Sequence, residues 1–166
     1  MSNDIDTLLT HMNNVSFDAF HQPQVSEFIF LQSRYLRELD FARVDFYERT
    51  GLYSTIRSLG GQIVQGSATI RYRRFIKPYS LFDITTKIIF WDAQGIYMES
   101  RFLGKDGFVH AIAICKQRLI DVSAEDIMEI KLKETPTTEI SNEKIENGDL
   151  IKLKPEMPLE VRLIEI

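Results

Sequence analysis

Apolar residues recur at helical spacing in the stretch SRYLRELDFARVDFYERTGL, which starts at Ser33. Serine is a favoured N-cap residue, and Gly51 at the other end is a typical helix stop. The apolar positions that repeat every three or four residues are Tyr35, Leu39, Ala42 and Phe46. The spacing predicts one long amphipathic helix between Ser33 and Gly51.

After a connection through Ser58, Gly60 and Gly61, the helical spacing ends and apolar and polar residues alternate with a period of two. A half-buried strand is predicted where one face carries Ala68, Ile70 and Tyr72 and the other carries Thr69, Arg71 and Arg73. Three more strands are predicted at Phe82 to Trp91, Ile96 to Leu103 and Phe108 to Val122. Turn sequences at 92–95 and 104–107 separate them, which favours an antiparallel sheet.

A long helix followed by antiparallel strands is an α+β pattern, and curling the sheet around the helix buries both apolar faces. We therefore predict the hot-dog fold, an antiparallel sheet wrapped around one long central helix. The domain is expected to span residues 1–132 and to end in a short helix at 123–131, capped by Ser123. Residues 133–166 are polar and without periodicity, which predicts a disordered tail.

Composition and charge narrow the functional classes. The 166 residues are 44% hydrophobic and carry a net charge of −4, so they suit one domain without a basic face for nucleic acid. A single cysteine, Cys115, indicates a reducing compartment, and His11, His21 and His110 lack zinc-ligand spacing. No run approaches the roughly 18 apolar residues of a membrane helix. We expect a cytoplasmic chain with no metal, no cofactor and no membrane segment.

Two separated stretches carry a resemblance to a known family. Residues 4–14, Asp-Ile-Asp-Thr-Leu-Leu-Thr-His-Met-Asn-Asn, and residues 33–43, Ser-Arg-Tyr-Leu-Arg-Glu-Leu-Asp-Phe-Ala-Arg, resemble the two halves of one signature of acyl-CoA thioesterase-like hot-dog proteins. The closest resemblance is to the thioesterase superfamily member 6 group. It continues through Arg73-Arg74-Phe75, Trp91-Asp92 and Gln117-Arg118-Leu119.

The chain departs from that signature between Asn14 and Ser33, which the family joins directly. The 18 intervening residues begin Val15-Ser16, which a splice-donor sequence can encode, and end at Gln32, which CAG can encode. We hypothesise that 15–32 is a retained intron of 54 nucleotides, and the alternative is a genuine surface loop. Spliced transcripts that join Asn14 to Ser33, with GT at Val15 and AG at Gln32, would support the intron.

The resemblance also implies a site. It assigns Asp6 or Asp4 as the catalytic acid and includes His11 among the catalytic residues. The alternatives are an exposed acidic end for the two aspartates and a structural role for His11. The resemblance assigns substrate binding at the helix start to Asn13, Asn14, Ser33, Arg34 and Tyr35. It implies an acyl-CoA or related thioester as substrate, and a homodimer. Related proteins often carry a preceding strand and a hydrophobic N-terminal anchor, so we expect an incomplete gene product. A thioesterase impaired by the insertion is the first hypothesis, and a non-catalytic acyl-binding or protein-interaction module is the alternative.

Other polar residues are expected to be structural. Asp40 and Arg43, three apart on the helix, are predicted to form an ion pair. Glu38 is predicted on a solvated face, and the alternative is a catalytic acid, which some hot-dog enzymes place on this helix. Cys115 is predicted to lie in the core, and Trp91 in the core or at an interface. The basic cluster Arg71, Arg73, Arg74 and Lys77 either contacts the phosphates of coenzyme A or forms a strand face exposed to water.

Overall fold

A computed structural model describes residues 15–19, 32–77, 80–134, 156–158 and 161. Its elements are β1 (Val15–Ala19), α1 (Gln32–Thr50), α2 (Leu52–Ser58), β2 (Gln62–Tyr72), β3 (Phe82–Asp92), β4 (Gly95–Gly104), β5 (Val109–Ile120) and α3 (Ala124–Glu134). The predicted long helix and the later strands are confirmed within two residues at each boundary.

Gly51 ends α1 as the sequence predicts, because its φ of 64° lies in the left-handed region that glycine adopts without steric cost. A short second helix, α2, follows at once, although the sequence pattern indicated only a connection there. Leu52 and Ile56 of this helix are fully buried. Tertiary burial therefore stabilises a helix of seven residues that would be marginal alone.

The five strands form one antiparallel sheet in the order β1-β3-β4-β5-β2. Strands β3 to β5 form the predicted meander, whereas β2 crosses to the far edge and pairs with β5, so that Tyr72 lies opposite Ala111. A register shift between Gln65 and Ser67 places an extra residue, Gly66, in β2. Bulges of this kind increase strand twist and help a sheet to curl.

The sheet packs its inner face on α1 through two clusters of buried apolar residues. One includes Tyr35, Leu39, Ala42, Ile84 and Phe102, and the other includes Phe46, Ile88, Trp91, Ile96 and Met98. Between the clusters, Thr86 and Ser100 share a buried hydrogen bond of 2.9 Å across β3 and β4. The predicted core position of Cys115 is confirmed at 7% exposure, and Trp91, predicted in the core or at an interface, lies in the core at 5%.

Two structural elements lie at the predicted limits of the insertion and of the domain. Val15–Ala19, which starts the predicted insertion, forms strand β1 and pairs with β3 from Thr86 to Phe82. Helix α3 is capped by Ser123, whose Oγ accepts a 3.2 Å hydrogen bond from the Glu125 N–H. It continues to Glu134, past the predicted limit at 132.

The described part of the C-terminal segment packs against the outer face of the sheet. Val161 is fully buried there beside Phe90 and Tyr97, with Met157 and Ile89 at the edge of the contact. Disorder was predicted for all of residues 133–166, and most of that range lies outside the described residues. Val161 and Met157 themselves belong to the folded domain.

Candidate functional site

The start of α1 lies under one end of the sheet and brings together several of the predicted site residues. The first backbone N–H groups of any helix have no acceptor within the helix, and the helix dipole adds positive potential there. Ser33, Arg34 and Tyr35 occupy the first turn of α1, after its first residue, Gln32. This turn can therefore offer hydrogen-bond donors to a carbonyl oxygen.

Tyr35 anchors this turn in the core, where its side chain is 2% exposed. Its ring meets Tyr72 at 5.0 Å and Phe102 at 4.9 Å between ring centroids, both edge to face. Burial raises the pKa of the Tyr35 phenol, and the nearby backbone of Ile76 acts in the opposite direction. Tyr35 thus ties the beginning of α1 to the segment that follows β2.

Glu38 is buried, so the prediction of a solvated face is wrong. Its exposure is 7%, and its Oε1 lies 3.8 Å from Nε of Arg34, one helical turn earlier. The signal was present in the sequence, because Glu38 follows Tyr35 by three residues and precedes Ala42 by four, which places it on the flank of the apolar stripe. A buried carboxylate beside the helix start is a candidate acid or base.

The structure describes only part of the predicted site. Arg34 and Tyr35 lie together at the helix start, and Ser33 lies in the same helical turn. The predicted residues Asp4, Asp6, His11, Asn13 and Asn14 lie outside the described residues. The roles assigned to all the predicted site residues, described or not, remain predictions.

A second group of polar residues lies deeper along α1. The Tyr47 hydroxyl donates a 3.1 Å hydrogen bond to Oε1 of Gln117, which is 1% exposed. Cys115 lies two residues earlier on β5, and burial raises the pKa of its thiol to about 11. That thiol is therefore protonated at neutral pH, which agrees with its predicted role as a core residue rather than a nucleophile.

The predicted ion pair on the helix surface is confirmed. Nη2 of Arg43 lies 2.8 Å from Oδ1 of Asp40. Arg43 also donates a hydrogen bond to the side chain of Gln65 on β2. Together these contacts tie α1 to the edge strand and have a structural role.

The basic cluster lies at the end of β2, and both possibilities raised for it remain open. The guanidinium carbons of Arg73 and Arg74 lie 5.3 Å and 4.1 Å from the ring centroid of Phe108. The backbone N–H groups of both arginines donate to the carbonyl of His110, at 2.9 Å and 3.1 Å. The segment after β2 is thereby joined to the start of β5.

An antiparallel sheet around a central helix, with a polar site at the helix start, defines the class of hot-dog thioesterase-like proteins. A family model described as the thioesterase-like superfamily matches residues 28–162, and the chain belongs to that superfamily. Over 146 residues it is 41% identical to Protein THEM6 of Drosophila melanogaster, a match that covers 87% of this chain and 64% of that protein. The chain spans 50% to 64% of the length of its curated THEM6 relatives.

Solved structures share the fold. The probable thioesterase YbaW of Escherichia coli aligns with a TM-score of 0.61 and 20% identity, covering 72% of this chain and 95% of that one. The Staphylococcus aureus protein SAV2348, solved in complex with CoA, aligns with a TM-score of 0.57 and 12% identity, covering 87% and 94%. At these identities the likeness establishes the hot-dog fold alone.

The described residues contain neither a candidate membrane-spanning helix nor a candidate metal-binding cluster. No helix among them is both long and apolar enough to cross a lipid bilayer. Within the same ranges, no three His, Cys, Asp or Glu side chains come together in a group that could hold a metal ion.

Proposed function

We propose that this protein hydrolyses acyl-CoA or related thioesters at the start of α1. The observation that carries the proposal is the pair of the buried Glu38 and the partly buried Arg34 beside Tyr35, under the end of the sheet. Burying ionised groups is costly, and such arrangements are enriched at functional sites. Membership of the thioesterase-like superfamily supports the same reaction class.

In the proposed mechanism, backbone N–H groups of the first turn of α1 polarise the thioester carbonyl and stabilise the oxyanion that forms. Asp6 or Asp4, with His11, activates the attacking water or forms a covalent intermediate. Glu38 is a second candidate for this acid. The chain then needs no bound cofactor, because both groups that the reaction requires are supplied by its own residues.

The proposal is tested by measuring the hydrolysis of a panel of acyl-CoA esters through the free thiol that each reaction releases. Asp6→Asn and Glu38→Gln should each be compared with Glu48→Gln, which neutralises an exposed acid of the same helix. Loss of about 100-fold or more in one of the first two, with Glu48→Gln unchanged, would identify the catalytic acid. Turnover by the parent chain that neither variant lowers would contradict both assignments.

We further propose that residues 15–32 are a retained intron that impairs this activity. Residues 15–19 of this segment extend the sheet as the edge strand β1, and the closure cost for a segment of this size is only about 1 to 2 kcal/mol, so the fold tolerates the insertion. Catalysis depends more strongly on geometry, because displacing a catalytic group by about 1 Å can lower the rate of hydrolysis by about 100-fold. Deleting 15–32 should raise turnover, and transcripts without an intron boundary at Val15 and Gln32 would refute the proposal.

The second candidate function is a non-catalytic acyl-binding or protein-interaction module. It is favoured if no ester is hydrolysed by the parent chain or by the deletion variant while acyl-CoA still binds.

In either case we propose a cytoplasmic homodimer. Strand β2 pairs with β5 along one side only and lies at the sheet edge, where a second copy would extend the sheet. A monomeric mass by light scattering at high concentration would exclude the dimer.

A further inference from the structure

We propose that Arg71, Arg73, Arg74 and Lys77, together with the rings of Phe75 and Phe108, bind the phosphorylated nucleotide end of coenzyme A. This inference rests on the proposed function and deepens it, because it selects CoA esters over thioesters that lack a nucleotide. We call this group of six residues the basic segment.

The arginines of the basic segment are held in position before any ligand binds. The Phe108 ring lies against both guanidinium groups, at 5.3 Å from Arg73 and 4.1 Å from Arg74. Nδ1 of His110 lies 3.3 Å from the carbonyl oxygen of Arg74 and further fixes the backbone. Because both guanidinium groups already rest on this ring, less conformational entropy is lost when they bind an anion.

The charges of the basic segment are poorly compensated by the protein. Within the described residues, Arg71, Arg73 and Lys77 form no ion pair. Arg74 approaches Asp106 only to 3.8 Å, and both side chains are more than half exposed at 58% and 60%. An exposed pair at this distance contributes little. A local excess of positive charge on a chain of net charge −4 therefore favours an anionic ligand.

The basic segment is connected directly to the proposed site. Tyr72 lies between Arg71 and Arg73 in the chain, and its ring contacts Tyr35 at the helix start, 5.0 Å between centroids. Ile76, next to Lys77, is 2% exposed and belongs to the same core cluster as Tyr35. Tyr72 and Ile76 thus contact the proposed site. Their neighbours in the chain, Arg71, Arg73 and Lys77, carry exposed positive charge at its border.

An exposed aromatic ring suits a nucleotide as the occupant. Phe75 follows Arg74 directly and is 68% exposed, the largest exposure among the large apolar side chains described. Nucleobases stack on such rings, and arginines bind phosphate through paired hydrogen bonds. Inorganic anions would interact only with the positive charges, whereas adenosine 3′,5′-bisphosphate would interact with both the charges and the exposed ring of Phe75.

The test measures binding of adenosine 3′,5′-bisphosphate to the full chain by calorimetry, which requires no turnover. Replacing Arg73 and Arg74 together by glutamine should weaken binding by about 10-fold or more, and Phe75→Ala by a few-fold. The matched control is Arg118→Gln, which alters an exposed arginine at the other end of the β2–β5 pair, opposite Val64. Binding by this control should equal that of the parent chain.

Turnover separates this inference from the proposed function. The arginine double variant should lose acyl-CoA hydrolysis at low substrate concentration but keep hydrolysis of the matching acyl-pantetheine, which lacks the nucleotide. Equal loss with both substrates would indicate a structural role and overturn the inference. Unchanged bisphosphate binding in the variant would also overturn it, as would selective loss of binding to anionic phospholipid vesicles or to an acidic acyl carrier protein.

Discussion

Oε1 of Glu38 lies 3.8 Å from Nε of Arg34, and the two side chains are only 9% and 19% exposed. The pair joins the first turn of α1 to the second on the flank that faces the sheet. A buried carboxylate without a nearby cation would be strongly destabilising, so Arg34 makes the burial of Glu38 possible.

This pair leads to a stability prediction. Arg34→Ala should lower the free energy of unfolding by about 2 kcal/mol, because Glu38 loses its partner while remaining largely shielded from water. Urea unfolding measures this change. In the double variant with Glu38→Ala, the combined cost should be smaller than the sum of the single costs.

The matched control is the Arg49–Asp45 pair on the same helix, where Nε and Oδ1 are 3.0 Å apart but the arginine side chain is 53% exposed. Arg49→Ala should cost no more than about 0.5 kcal/mol. Equal costs at Arg34 and Arg49 would contradict the importance given to burial.

Removing the Tyr47 hydroxyl should also destabilise the fold. Tyr47→Phe leaves the buried Oε1 of Gln117 without its 3.1 Å hydrogen bond, which should cost about 1 to 3 kcal/mol. The control is Tyr53→Phe, because Tyr53 is 44% exposed and its hydroxyl can bond to water. Thermal unfolding that shifts equally in both variants would rule out a specific contribution of the Tyr47 bond.

The raised pKa of Cys115 predicts how stability depends on alkaline pH. The unfolded thiol ionises near its ordinary pKa of 9.0, whereas the folded thiol stays protonated up to about 11. The folded state therefore binds more protons in this interval, and its free energy of unfolding falls as pH rises from 9 to 11. Below pH 9 the contribution is fully present.

Cys115→Ala should flatten this loss of stability between pH 9 and 11, as denaturant unfolding at several pH values would measure. The buried tyrosines Tyr35 and Tyr47, whose pKa values are also raised by burial, act in the same direction in both proteins. Parallel stability curves for the two proteins would refute the role assigned to the thiol.

Packing of the C-terminal segment on the sheet is testable at Val161. This side chain is fully buried against Phe90 and Tyr97, so Val161→Ala should lower the free energy of unfolding by about 2 kcal/mol. Val44→Ala on the exposed face of α1, where the valine is 54% exposed, should change it by less than about 0.5 kcal/mol. Denaturant unfolding that fails to distinguish the two variants would argue against the docked segment.

Much of the fold was predictable because its signals are local. The spacing from Tyr35 to Phe46, the stop at Gly51 and the alternation in β3 to β5 depend on residues close in the chain. The motif halves at 4–14 and 33–43 identified the family in the sequence. The match over residues 28–162 confirms that the chain belongs to the thioesterase-like superfamily. Ser123 as a helix cap and Asp40–Arg43 as an ion pair are likewise interactions between near neighbours.

Other features depend on which distant segments meet, and only the tertiary structure decided them. Pairing of β2 with β5 rather than β3, and burial of Val161 on the outer face, require contacts across the whole chain. Glu38 illustrates the limit most clearly. Its position beside the apolar stripe was visible in the sequence, but its burial follows from how closely the sheet curls around α1, and local spacing does not specify that curvature.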